Sequence, residues 1–495
     1  MIEAYCDRRS AGPGERVGLH ISGDTGTLDI AITREGAVRT PVWSAEAVAI
    51  EPRPVPDDAV EHGCRWPRTL EIPVTPDWPS GFYLITLRAG EDIAHAGFVV
   101  RPHGTRAPIL MVLSTNTWNA YNDFGGANTY TAGDGAYAGG APRVSFLRPW
   151  PRGFLWKPEP PARLASTMPG DEVLGYFGYA QSMGFSVWSG SAGWCNWEAP
   201  FHAWLEAAGH HVDMATNEDL EKDPDLLDGV RLYLSVGHDE YWTWGMRDAV
   251  EGFVARGGNA AFFSGNTAFW QVRLEDGGDT MVAWKTRYRD DPVVGTAQEC
   301  TVTGLWSNRY TGRPENTMTG VSFCRGGYAR IGGGTPRGPG GHLIDRPEHW
   351  VFEGTGLRYG DVLGGDAVIV GYECDGCDFT LRDGRPYPTG LDGTPADFTI
   401  LGHAPAQLWS KETAPPGLYP EGTLSDVELV AEQITGRTDP AAVARFFHGN
   451  AVMGVHQPGG TVFTAGTTDW AYGIRAGDPL VERVTANVIT RLSGG

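Results

Sequence analysis

The sequence predicts an α/β fold, a doubly wound parallel sheet preceded by an antiparallel β-sandwich, and three observations predict it. Residues 1 to 102 alternate apolar and polar side chains in short runs cut by turn residues. After the proline-bounded connector "RPHGTRAP" at 101–108, "PILMVLS" stays apolar without alternating, as a strand covered on both faces does. Residues 201–270 then alternate helix-like and strand-like patterns, which calls for parallel strands joined by crossover helices.

Taken in order, "RVGLHIS" places Val17, Leu19 and Ile21 on one face, and "TLDIAIT" does the same with Leu28, Ile30 and Ile32. "SGFYLITL" follows the turn at Pro79 to Gly81. The expected unit over residues 1–102 is an immunoglobulin-like sandwich without the cysteine pair of antibody domains, structural or interfacial in role. A catalytic domain is expected over 108–495. Its helix from Ala199 carries Phe201, Trp204 and Leu205 on one side, with Gly209 suited to close it. Beyond about residue 290, strands in "AVIVGYECD" and "FTILGHA" and a hairpin, "AVMGVHQPGGTVFTAG", complete the same domain among Gly/Pro-rich loops.

Composition removes several functional classes. The 495 residues carry a formal charge of -21 and no compact Lys/Arg patch, which disfavours nucleic acid and anionic membranes as partners. The start lacks an apolar leader-like segment and no run is long enough to span a bilayer, so a cytoplasmic protein is expected. Seven scattered cysteines fit a reducing compartment better than a disulfide framework. Cys374 and Cys377 have ligand-like spacing but no second pair, and read as two cysteines in a turn.

The chemistry gathers at strand ends. "STNTWNAYNDFGGANTY", "GHDEYW", "FFSGNTAFWQVR" and "GYECDGCD" each close an apolar run with polar residues. In a doubly wound sheet such ends converge on one crevice. That would gather Tyr121, Tyr130, His238, Glu240, Asn266 and Glu373. Singly, each has an ordinary reading. The tyrosines suit half-buried rings, Glu240 a helix N-terminus, His238 a satisfied core position, Asn266 a turn, and Lys285 and Glu373 ion pairs.

Together they carry more. "STNTWNAYNDFGG", "VSFLRPW", "GHDEYWTWGMRDAVE", "GGNAAFFSGNTAFWQVR", "GYECDG" and "GTTDWAYGI" resemble, in the same order, segments of the catalytic region of the N,N-dimethylformamidase large-subunit family. The resemblance covers roughly residues 108 to 490. It implies hydrolysis of a small amide at a mononuclear non-haem iron, Fe3+, held by two tyrosines and one glutamate. By motif these are Tyr121, Glu240 and Tyr130, with Tyr137 as the substitute for Tyr130. It also implies metal-flanking or substrate-contacting roles for His238, Asn266 and Lys285 and a base role for Glu373, while Asp239 stands where the family enzyme has proline. Phenolate and carboxylate are hard donors suited to such a cation, and the ion would neutralise the acidic strand end. Dimethylformamide stands only for a small amide; a small partner subunit and homo-oligomerisation both stay open.

The domain also resembles the glutamine-amidotransferase-like fold, with a polar elbow after a strand. Here the elbow is His238, Asp239 and Glu240 rather than cysteine, and Cys195 lies in a loop, so a cysteine-dependent hydrolase lacks its nucleophile. The other alternative is a non-catalytic binding protein with a degenerate hydrolase domain.

Overall fold

The alternating runs at the start of the chain lie in the strands Arg16–Ser22, Gly26–Arg34 and Gly81–Ala89. They belong to a computed structural model that describes residues 1–131, 140–158, 179–331, 338–415 and 417–494. The structure is mixed α/β, with several sheets and interspersed helices. Contacts divide the described residues into two units: those within Met1–Pro160, Ala180–Val230 and Leu274–Val282 form the first, and Tyr179 with those within Arg231–Arg273 and Ala283–Gly495 the second.

In the first unit, Glu3–Cys6, Arg16–Ser22 and Leu70–Pro73 make a three-stranded antiparallel sheet. A five-stranded sheet runs Ser10–Ala11, Asp92–Val100, Gly81–Ala89, Gly26–Arg34, Thr40–Ile50, antiparallel except for its first pair. Val17, Leu19 and Ile72 from one sheet share a single apolar core with Ile30, Ile85 and Phe98 from the other. This shared core is why every second residue is apolar, each such side chain contributing ~1.5–3 kcal/mol on burial.

The same unit contains a parallel pair, Ile109–Leu113 with Val212–Thr216, in register from Ile109↔Val212 to Leu113↔Thr216. All five residues of Ile109–Leu113 are buried, which accounts for its unbroken apolar run. Glu198–Ala207 is helical and Gly209 follows with φ +87, as the cap reading requires. The helix Asn217–Lys222 starts on a capping box between Thr216 and Asp219.

In the second unit, seven strands run in the order Leu232–His238, Asn259–Gly265, Val462–Thr464, Gly449–His456, Thr399–Ala406, His342–Ile344, Val362–Leu363. The first three are parallel and the rest antiparallel. In this unit the expected parallel character holds for three strands, beside the parallel pair of the first unit; the closing hairpin, which does form, reverses the direction. In "AVIVGYECD" the strand is confined to the end of the run, in Glu373–Gly376, and the backbone turns earlier at Val368, where φ is +55. That strand pairs antiparallel with Ser322–Tyr328. Helices Trp244–Ala255 and Pro479–Ser493 pack on Asn259–Gly265. All seven cysteines are free thiols. Among the described residues no helix is long and apolar enough to cross a membrane.

Candidate functional site

The expected residues divide between the units, with Tyr121 and Tyr130 in the first and His238, Glu240, Asn266, Lys285 and Glu373 in the second. Tyr137 lies outside the described residues.

Tyr121 is the last residue of the buried helix Thr115–Tyr121, not part of a loop as its Gly/Asn-rich surroundings suggest. Asn128 and Thr129 fold back onto this helix end. Thr129 donates from N and Oγ1 to the Ala120 carbonyl (3.1 and 3.0 Å), and Asn128 Nδ2 donates to the Tyr121 carbonyl (3.3 Å). The return sets the Tyr130 hydroxyl 2.8 Å from that of Tyr121, with ring centroids 4.7 Å apart. Trp188 lies against both rings, 5.7 Å from Tyr121 and 5.4 Å from Tyr130. Its turn is fixed by Ser186, which accepts from Trp188 N at 3.1 Å and donates to Asp123 at 2.8 Å. Nothing in the sequence singles out Trp188, one tryptophan among eighteen.

In the second unit, Leu232–His238 is wholly buried and delivers His238 at its last position. His238 Nε2 lies 2.7 Å from Glu373 Oε2 and 3.3 Å from Glu240 Oε2. Asn266 Nδ2 donates to the same Glu373 oxygen at 3.2 Å and sits 3.4 Å from His238. His238, Glu240, Asn266 and Glu373 are each no more than 3% exposed. Burial alone would lower His238, but the Glu373 and Glu240 carboxylates outweigh it and hold the imidazole well above its ordinary range. The strand ending is thus a buried acid–base cluster, which answers why so many ionisable groups stand together.

Backbone pairing fixes this cluster. Ala268 N donates to the Asp239 carbonyl and Trp270 N to that of Glu240, both at 2.9 Å, so the segments beyond the two parallel strands run zipped together. Asp239 turns the other way, accepting from Ser235 Oγ at 2.8 Å. Lys285, buried and with φ +54, donates to the Tyr241 hydroxyl at 2.7 Å. Its Nζ lies 5.0 Å from the Trp270 ring and 5.3 Å from that of Tyr241. Burial brings its ammonium down to about 7, against the pull of Glu240, Asp426 and Glu373. Asp426, in turn, is pushed up to about 6 by burial, with Tyr419 and Tyr328 hydroxyls opposing. Nothing in the sequence singles out Asp426, which opens the helix Asp426–Thr435 and there suggests only a dipole role.

Two other sequence candidates have different surroundings. Cys195 donates its thiol to the Gly153 and Phe154 carbonyls, both at 3.2 Å. Cys374 and Cys377 are buried, and burial holds both thiols well above the ordinary range, where they are inert. Among the described residues no group of three or more His, Cys, Asp or Glu is arranged to hold a metal ion.

A family model described as "N,N-dimethylformamidase beta subunit-like, C-terminal" matches residues 30–483. The chain belongs to this family. The match begins inside Gly26–Arg34, so dimethylformamidase-like sequence extends well ahead of residue 108, across most of the leading strands. Two proteins named "N,N-dimethylformamidase beta subunit" are similar. That of Alcaligenes sp is 26% identical and that of Paracoccus aminophilus 27%. Each alignment covers 68% of this chain and 45% of the relative, so the chain spans under half the length of the relatives it matches.

Proposed function

We propose that this chain hydrolyses the C–N bond of a small linear amide, with Tyr121, Tyr130 and Glu240 as the oxygen donors for one ferric ion. The observation that carries the hydrolase reading is the buried cluster in which His238 lies between Glu240 and Glu373 with Asn266 alongside. The donor chemistry supports the metal. The Tyr121 and Tyr130 hydroxyls share a hydrogen bond at 2.8 Å, which keeps two phenol oxygens side by side. They are hard donors, as Glu240 is. When bound, such an ion supplies Lewis acidity that polarises an amide carbonyl.

The chain's own groups do the proton work. Glu373 takes a proton from the attacking water, held for this by His238 and by the Asn266 amide. Lys285, poised to be charged or neutral near pH 7, gives a proton to the departing amine nitrogen and hydrogen-bonds the developing anion. Among the described residues the buried Asn266 Oδ1 has no hydrogen-bond partner, and an amine N–H on the substrate side would satisfy it.

The finer architecture belongs to the same reading. Two sheets around one core support an immunoglobulin-like leading sandwich, and the polar elbow after Leu232–His238 supports a glutamine-amidotransferase-like catalytic domain. A cytoplasmic location fits the free cysteines. The relatives are named as subunits, so the chain is best assayed alone and with a small partner subunit. The test is amine release from a panel of small amides including N,N-dimethylformamide. Turnover that falls at least ~100-fold in Glu373→Gln supports the proposal, and no turnover from any amide in either form refutes it.

A further inference from the structure

The turn after Asn259–Gly265 is strained. Asn266 and Ala268 both have left-handed backbone, φ +51 and +54, and both are buried. This conformation costs ~1–2 kcal/mol at a non-glycine residue, and alanine has no polar side chain to offset it. The turn is held from several sides. Ala268 N donates to the Asp239 carbonyl at 2.9 Å. Thr267 N donates to Asp375 Oδ2 at 3.0 Å, and the Asn266 backbone N–H faces the same carboxylate. Thr267 Oγ1 meets Ser264 Oγ at 2.9 Å, and Ser264 meets Ser235 Oγ at 3.0 Å.

Asp375 is fully buried and reaches the turn from Glu373–Gly376, two residues beyond Glu373 and so on the same face of that strand. The turn in turn presents Asn266, whose amide donates to Glu373. The circuit closes on itself, from Glu373 along its strand to Asp375, across to the turn, and back through Asn266. We propose that Asp375 is a positioning residue, holding the Asn266–Ala268 turn in its left-handed form so that Asn266 stays donated to Glu373. The geometric part stands alone; its catalytic consequence rests on the amidase reading. Burial pushes the Asp375 carboxyl up to about 7 against the pull of the Thr267 N–H, a cost that the charge-assisted bonds to the turn offset.

The test combines crystal structures with rates for Asp375→Ala, Asp375→Asn, Asn266→Ala and the double variant Asp375→Ala/Asn266→Ala. In Asp375→Ala, Asn266 should leave positive φ and its amide should move out of hydrogen-bond range of Glu373. Asp375→Asn keeps an acceptor oxygen and should hold both in place. In amide turnover, Asp375→Ala should lose about 10- to 100-fold in kcat with little change in KM, as a displaced catalytic group does. The double variant should be no slower than Asn266→Ala alone, because the two substitutions break one interaction. An unmoved Asn266 in Asp375→Ala, or losses that multiply, would overturn the proposal. If alanine leaves too large a cavity to fold, Asp375→Val fills the space without an acceptor and is read by the same criteria. A wild-type chain that turns over no amide refutes the amidase reading, while the crystal structures still decide the positioning role.

Discussion

Lys285 is brought down to about 7 by burial, with Glu240, Asp426 and Glu373 opposing the fall. Asp426→Asn removes one of these opposing charges while keeping the side chain's size, so the lysine should drop further, by ~1 unit at the low end of what a nearby opposite charge produces. The sign follows from charge. Asp426 favours the ammonium, so its loss favours the amine. Because Asp426 itself sits near about 6, the difference should appear where it is ionised and fade below that pH. Two assays read it together, kcat/KM for amide turnover across pH 5.5 to 9 and a carbon NMR titration of the lysine side chains. The limb near 7 and one lysine resonance should both move to lower pH in Asp426→Asn. A limb that stays in place, or no lysine titrating below its ordinary ~10.4, would show that Asp426 does not support the Lys285 ammonium.

Three further outcomes are expected. Glu373→Gln keeps the shape beside His238 but removes the base, and kcat should fall ~10²- to 10⁴-fold in steady-state assays. In Gly265→Ala the new Cβ would meet the Thr468 backbone N and lie 2.7 Å from the Glu373 carbonyl. Neither backbone can swing aside as a flexible side chain would, so Glu373 should shift and turnover fall at least ~10-fold. His342 is fully buried, and burial together with nearby His403 holds its imidazole down to about 3. The unfolded chain therefore binds the extra proton first, and the stability from the neutral ring is present above about 6.5 and lost as pH falls towards 3, on the order of 5 kcal/mol. Denaturant melts at several pH values should show that slope, and His342→Leu should flatten it.

Much of the fold was legible because it repeats locally. Val17, Leu19 and Ile21 alternate because one face of their strand meets a core, and Ile109–Leu113 does not alternate because all of it is buried. The antiparallel half of the second unit was not legible, since which strand lies beside Thr399–Ala406 is decided by partners as distant in sequence as Gly449–His456 and His342–Ile344. At the site, the strand end at His238 announced itself by chemistry, and the structure brings His238, Glu240, Asn266 and Glu373 together. That Tyr121 closes a helix is hidden in the sequence because Gly125 and Gly126, both with positive φ, follow so closely. Asp375 went unnoticed between two cysteines, although Glu373 and Asp375 at i and i+2 on a strand must share a face.

The measurement that bears most directly on the account is metal content with an optical spectrum on protein purified without added metal. About one iron per chain is expected, with a visible tyrosinate-to-ferric charge-transfer band, and both the band and amide turnover should be lost in Tyr121→Phe. Amide turnover that survives iron removal and is indifferent to Tyr121→Phe, or protein that takes up no iron on reconstitution, would contradict it.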